Sequence, residues 1–215
     1  MYRQEVNHVP KIKYFVQQSW LLIVCSFFFG LLLAIANAAW SPRIEQNRIN
    51  KLNDLAGRLI PKAKDFVPLD KLGVTIEVKS LKGPKKKVDV YKAVTGDACF
   101  GWTFNAVGSG FQDKIELVVA VDKDFKTIAG FDVLASNETP GFGDKIKGDE
   151  FRNQFKGKPA AQLELIKSGE AKDNKILVIS GATISSEAVI EIINHSISQV
   201  KRQMQEKGLL GNDKE

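Results

Sequence analysis

Apolar positions along the chain change period three times, and each change marks a new kind of element. From Trp20 to Ala36 nearly every residue is apolar, and no charge appears through Ser41. A run of that length crosses the hydrocarbon core of a bilayer as a helix, with Trp20 and Trp40 standing like interfacial anchors at its ends. A cleaved signal peptide is the other reading, since Ala36-Asn37-Ala38 has the small-x-small form of a cleavage site. The long leader and long apolar run favour a retained anchor. Next, Ile44, Ile49 (or the aliphatic stem of Arg48), Leu52, Leu55, Leu59 and Ile60 recur at helical spacing, predicting an amphipathic helix that Pro61 ends.

From Val74 the spacing is that of strands. It predicts strands over Val74–Val78, Val88–Val94, Phe100–Val107, Ile115–Val121 and Thr127–Leu134, with turns at the Lys-rich segment, Gly108-Ser109-Gly110 and Asp122-Lys123-Asp124. Short strands joined by tight turns make a largely antiparallel sheet, with Phe104, Val118, Val119, Ile128 and Phe131 as core candidates. A loop at Glu138–Gly143, a helix near Gly148–Phe155 and short strands at Gln162–Ile166 and Ile176–Ile179 follow. The closing helix runs from near Ser185 to Glu206, and its face of Ala188, Val189, Ile192, Ile193, Ile197, Val200 and Met204 docks on the sheet. Gly208 and Gly211 mark its end.

The predicted fold class is therefore α+β: a single N-terminal transmembrane helix, then a largely antiparallel sheet domain with a packed C-terminal helix. The expected segments are a leader (1–18), the membrane helix (19–40), an amphipathic linker helix (41–61), the soluble domain (62–207) and a tail (208–215).

Composition narrows the chemistry. The 215 residues, 44% hydrophobic, suffice for one membrane segment and one domain with its own core. The net charge of +6 is spread out, and its densest cluster, Lys82, Lys85, Lys86 and Lys87, reads as a solvated loop beside Gly83-Pro84. No aromatics interleave it, so nucleic acid is discounted as a partner. Cys25 lies in the apolar run and Cys99 in the soluble part; with His8 and His195 they cannot build a zinc site or an iron–sulfur cluster. Any redox cofactor is organic or shared. Arg3, Lys11 and Lys13 before the span balance Arg43, Arg48 and Lys51 after it, so charge alone leaves orientation open.

Two stretches carry candidate chemistry. Ser180-Gly181-Ala182-Thr183 lies between an apolar run and the last helix, where free backbone N–H groups and a positive dipole end suit a phosphate with a hydroxyl beside it. The plainer reading is that Thr183, Ser185 or Ser186 caps the helix. Glu138-Thr139-Pro140-Gly141-Phe142-Gly143 is a turn on any reading. In a cofactor site its glycines would admit close backbone approach to a planar ring, Glu138 and Thr139 would supply hydrogen bonds, and Phe142 an apolar wall.

Ser180-Gly181-Ala182-Thr183-Ile184-Ser185-Ser186 resembles the flavinylation motif of the FMN-binding domain shared by the G subunit of Rnf-type electron-transport complexes and the C subunit of the sodium-pumping NADH:quinone reductase, the RnfG/NqrC family. Glu138-Thr139-Pro140-Gly141-Phe142-Gly143-Asp144-Lys145-Ile146, upstream, is similar to a second segment of that family. The resemblance covers about Val88 to Val200. It implies FMN esterified through its phosphate to Thr183, with Ser180, Gly181, Ala182, Ser185 and Glu138 to Gly143 around it. It also implies a cytoplasmic leader, an extracytoplasmic domain on a bacterial inner membrane, maturation by a flavin transferase, and partner proteins coupling ferredoxin and NAD electron transfer to ion movement. Where the family carries an Asp six residues before the modified Thr, this chain has Leu177. Without covalent flavin, the same fold would serve as an anchored structural, binding or regulatory module. No nucleophile–base–acid set is present, so the expectation is a redox subunit and not a stand-alone enzyme.

Overall fold

The computed structural model describes residues 11–79 and 85–210. The first ten residues of the leader, His8 among them, Lys82 with Gly83-Pro84, and the tail from Gly211 lie outside the described residues. The chain divides into two compact units, Met1–Ile49 and Asn50–Glu215.

Helix α1 (Lys11–Leu59) is continuous, with Pro42 inside it, so the predicted membrane and linker helices form one element. In the first unit Leu22, Phe27, Phe28, Phe29 and Leu32 are all exposed, and the stretch is long and apolar enough to cross a membrane. In the second unit the last turns of α1 bury Leu52, Leu55 and Ala56.

Strands β1 (Asp65–Pro68), β2 (Ile76–Lys79), β3 (Lys85–Val88), β4 (Val90–Thr95), β5 (Ala98–Ser109), β6 (Lys114–Asp122) and β7 (Ile128–Ser136) follow. Five of them form an antiparallel sheet in the order β1-β4-β5-β6-β7, and β2 and β3 form a separate ribbon. Period-two alternation sorts the side chains of β6 onto two cores. Leu117, Val119 and Val121 join the main cluster with Phe104, Phe131 and the apolar face of the last helix. Val118 packs with Leu52, Leu55 and Tyr91, and Ala120 with Ile60 and Ala93. Both faces of the sheet are thus covered, and all five predicted core residues are buried.

After β7 come a 3-10 turn (Gly143–Lys147), α2 (Asp149–Arg152), a second 3-10 turn, β8 (Glu164–Ile166), β9 (Lys175–Leu177) and α3 (Thr183–Glu206). Phe131, Phe151 and Phe155 meet edge to face, with ring centroids 4.6 to 6.2 Å apart, and fasten the α2 region to β7. Gly108 lets α3 approach β5 closely, because a Cβ there would collide with Ile192.

Among the strands, the structure departs from the sequence pattern at four places. Val88–Val94 divides at Asp89, where the chain leaves the ribbon and enters the main sheet; the Asp89 N–H donates to Asn105 Oδ1 (2.9 Å). Gly108 and Ser109 pair within β5, so the turn is at Gly110–Asp113. Strand β1 has no counterpart in the predicted elements, and Pro68 is tolerated because β1 lies at the sheet edge. β8 and β9 pair in parallel as a small separate sheet.

Glutamine side chains cover two strand edges. Glu77 N–H donates to Gln203 Oε1 (3.0 Å) and Lys79 N–H to Gln199 Oε1 (2.9 Å), while both amide NH2 groups return to the carbonyls of the same two residues. Four residues of helix advance about 6 Å, near the two-residue repeat of a strand, about 6.7 Å. Gln154 treats Leu177 in the same way, accepting from its N–H (2.7 Å) and donating to its C=O (3.3 Å).

Candidate functional site

Helix α3 starts at Thr183, two residues earlier than its apolar pattern predicts, with Ala182 as its N-cap and no side-chain capping bond. The plainer reading of the motif therefore fails: none of Thr183, Ser185 and Ser186 caps the helix. Ser186 Oγ donates to Ala182 C=O (2.9 Å) and accepts from Ile179 N–H (3.3 Å). The turn that admits Thr183 depends on Gly181 at φ +79°, a left-handed conformation that residues with a Cβ rarely adopt. A 24-residue helix thus opens with backbone donors that no side chain satisfies, and its first residue is a half-buried threonine.

Ser185, at the third helical position, points to the other predicted stretch. Its hydroxyl donates to Glu138 Oε2 (2.5 Å), a contact 47 residues apart in sequence. Glu138 is 4% exposed, and its other oxygen accepts the Gln112 N–H (3.1 Å). Gly143 closes over this pair: a Cβ there would stand 2.7 Å from both Glu138 Oε2 and Ser185 Oγ. On the far side Phe142, 58% exposed, comes 3.6 Å from the point a Cβ on Gly181 would occupy. The two stretches therefore meet twice, at Glu138–Ser185 inside and at Phe142–Gly181 outside.

Not every predicted residue faces this junction. Thr139 Oγ1 donates to Gln112 Oε1 (3.1 Å), while its carbonyl accepts from the Phe142 and Asp144 N–H groups and shapes the turn. Pro140 and Gly141 lie at its tip, and Gly141 has φ +76°. Ser180 is exposed and lines a groove of about 600 Å³ with Lys145, Gly148, Phe151, Gln154 and Leu177. Such a volume suits a small-molecule ligand. Nearby, Asn137 Nδ2 donates to Asp113 (2.9 Å) and holds that carboxyl below its ordinary range.

Gln112, Phe151 and Gln154 are additions that the sequence motifs do not name, and Lys145, within the second motif stretch, had no role assigned to it. Lys145 lies in the segment that continues the Pro-Gly turn, so proximity was a usable signal. Gln112 and Gln154 reach the site only through tertiary contacts, and nothing local marks them.

Replacing Ser185 by alanine leaves a buried carboxylate oxygen without its hydroxyl donor, a loss of about 1–3 kcal/mol. A lowered denaturation midpoint of the detergent-solubilised chain measures it. An unchanged midpoint would mean that water replaces the hydroxyl without cost.

Residues 110–198 match the FMN-binding domain family. The G subunit of the ion-translocating oxidoreductase complex of Methanosarcina acetivorans is 31% identical over 183 residues, covering 85% of this chain and 92% of that one. The G subunit of the proton-translocating ferredoxin:NAD(+) oxidoreductase complex of Clostridium ljungdahlii is 32% identical, covering 84% and 88%. Among solved structures, NqrC of Shewanella oneidensis superposes with a TM-score of 0.55 at 23% identity over 62% of this chain and 69% of that one, a likeness of fold. The C subunit of the Na(+)-translocating NADH-quinone reductase of Parabacteroides distasonis gives 0.51 at 22% identity, with 74% and 95% covered. With two relatives above 30% identity matched over most of their length, and the junction of both motifs inside the matched domain, the chain belongs to the RnfG/NqrC family.

Proposed function

We propose that the chain is the flavin-carrying subunit of a membrane electron-transport complex of the Rnf type, with FMN joined through a phosphoester to Thr183. The observation that carries this reading is the uncapped start of α3, where Thr183 stands beside unsatisfied helix donors, between Gly181, which faces Phe142, and Ser185, which bonds Glu138. The residues present fit the group. A phosphate diester at Thr183 Oγ1 would meet the first-turn N–H groups and the positive end of the helix dipole. Gly181 and Ala182 add no bulk there, Phe142 offers an exposed apolar face, and the adjoining groove has room for a ring system. Bound FMN supplies one- and two-electron transfer. The chain's own part is placement: Glu138 and Ser185 lock the turn to the helix, and the turn in turn fixes Phe142 beside Gly181.

The apolar stretch of α1 would anchor the chain as a single span, with the second unit on the extracytoplasmic side. Partners would be the other subunits of the complex and, during maturation, a flavin transferase. The relatives named as ferredoxin:NAD(+) oxidoreductase subunits support electron flow between those carriers, coupled to ion movement. A second reading, an anchored module of the same fold without covalent flavin, has one observation in its favour: the groove wall holds Leu177 where the family carries an Asp.

The test is peptide mass spectrometry of the chain co-produced with its native flavin transferase. An FMN-phosphoryl adduct on the Thr183 peptide is expected. An unmodified peptide under those conditions rejects the covalent mechanism in favour of the second reading.

A further inference from the structure

The groove beside Ser180 holds one cation, within the second motif stretch, whose part in the site is still unassigned. Lys145 lines its wall together with Ser180, Leu177 and Phe151. Its ammonium stands 6.0 Å from the centroid of the Phe142 ring, and that ring abuts Gly181. Lys145, Phe142 and Gly181 therefore form a continuous strip from the groove to the attachment motif. The backbone at this point is fixed, since Lys145 N–H donates to Phe142 C=O (3.1 Å) and Lys145 C=O accepts from Gly148 N–H (2.9 Å). Its side chain makes no ion pair among the described residues. Glu150 is the other charged residue on the groove lining. A lysine with a fixed root, an aromatic face beside it and no carboxylate partner is free to meet an anion that enters the groove.

We infer that Lys145 is the cation that faces the flavin ring in this groove and favours its reduced, anionic form. The inference rests on the reading that the groove takes FMN. The oxidised isoalloxazine is neutral. Two electrons and one proton, the proton going to N5, leave it with one negative charge over N1 and the C2 carbonyl. The electrons come from a low-potential donor, which is dithionite in the test. A positive charge on the groove wall stabilises that product over the neutral ring and so raises the reduction potential. Because the groove is open to solvent, dissolved salt weakens the effect.

The experiment uses the full chain co-produced with the flavin transferase and held in detergent. The flavin's midpoint potential is read by dithionite titration in the wild type, Lys145→Gln, Lys145→Glu and Lys145→Arg. A lower potential in the Gln variant, a still lower one in the Glu variant and a near wild-type value in the Arg variant are expected, with the differences shrinking at high salt. Equal potentials in wild type, Gln and Glu variants overturn the inference. Where mass spectrometry finds wild-type Thr183 unmodified, the same titrations are run on protein saturated with free FMN. A shift that depends on Lys145 then upholds the inference while the covalent reading falls. Failure of free FMN to bind overturns both.

Discussion

Thr183→Ala is expected to remove covalent flavin completely while leaving the chain as stable as the wild type. The two halves of this result have separate physical grounds. The proposed esterification needs the Thr183 hydroxyl, and alanine has none. Stability does not need it, because the helix has no side-chain cap to lose and Thr183 is only half-buried. Alanine is also the better helix former, so the change should stay within about 0.5 kcal/mol. In-gel flavin fluorescence after denaturing electrophoresis reads the first half, and thermal denaturation the second. Fluorescence that persists in the variant would move the attachment point. The next hydroxyls in the motif are Ser180, which is exposed on the groove, and Ser185, whose proton is committed to Glu138.

Phe155→Ala is the largest stability loss expected from a single side chain, about 3–5 kcal/mol. Phe155 is fully buried and makes the two closest ring contacts of its cluster, to Phe131 at 4.6 Å and Phe151 at 5.3 Å. Truncation leaves a cavity between β7 and the segment that follows α2, where two remaining rings cannot close it without shifting backbone. Because Gln154 is its neighbour in sequence and holds Leu177, the damage should reach the groove. A lowered denaturation midpoint together with reduced flavin content is the expected outcome. An unfolding free energy within about 1 kcal/mol of wild type would mean that the cluster repacks, as cores do when volume can be recovered locally.

Much of the sheet was legible because period-two alternation is a local property. Leu117, Val119 and Val121 against Val118 and Ala120 follow from the sequence once β6 is recognised, and the apolar face of α3 follows from its helical spacing. The linear pattern could not say which strand leaves one sheet for another. That decision is made at Asp89 by the amide of Asn105, sixteen residues away. The parallel pairing of β8 and β9 is likewise a matter of how the chain returns, and three-residue strands carry too little pattern to declare it.

The site divides in the same way. The Ser180–Ser186 stretch and the Pro-Gly turn were legible as motifs, and the structure brings them together through Ser185–Glu138 and Gly181–Phe142. Apolar spacing places the start of α3 two residues late because it begins only where the helix touches the core, whereas the first turn is held by backbone geometry at Gly181 and Ala182. The role of Ser185 was hidden for a different reason. A serine near a helix start ordinarily bonds its own backbone, and here a buried carboxylate on another element outcompetes it.

The glutamines at the strand edges bear on how such a chain survives before it has partners. An extended edge with free N–H and C=O groups is a template on which another chain can add a strand, the first step of edge-to-edge aggregation. At Glu77, Lys79 and Leu177 that template is already answered from within, each residue meeting both ends of an amide supplied by Gln203, Gln199 or Gln154. A newly made domain waiting for assembly therefore presents these margins as finished surfaces, and collisions between unassembled copies find no strand there to extend.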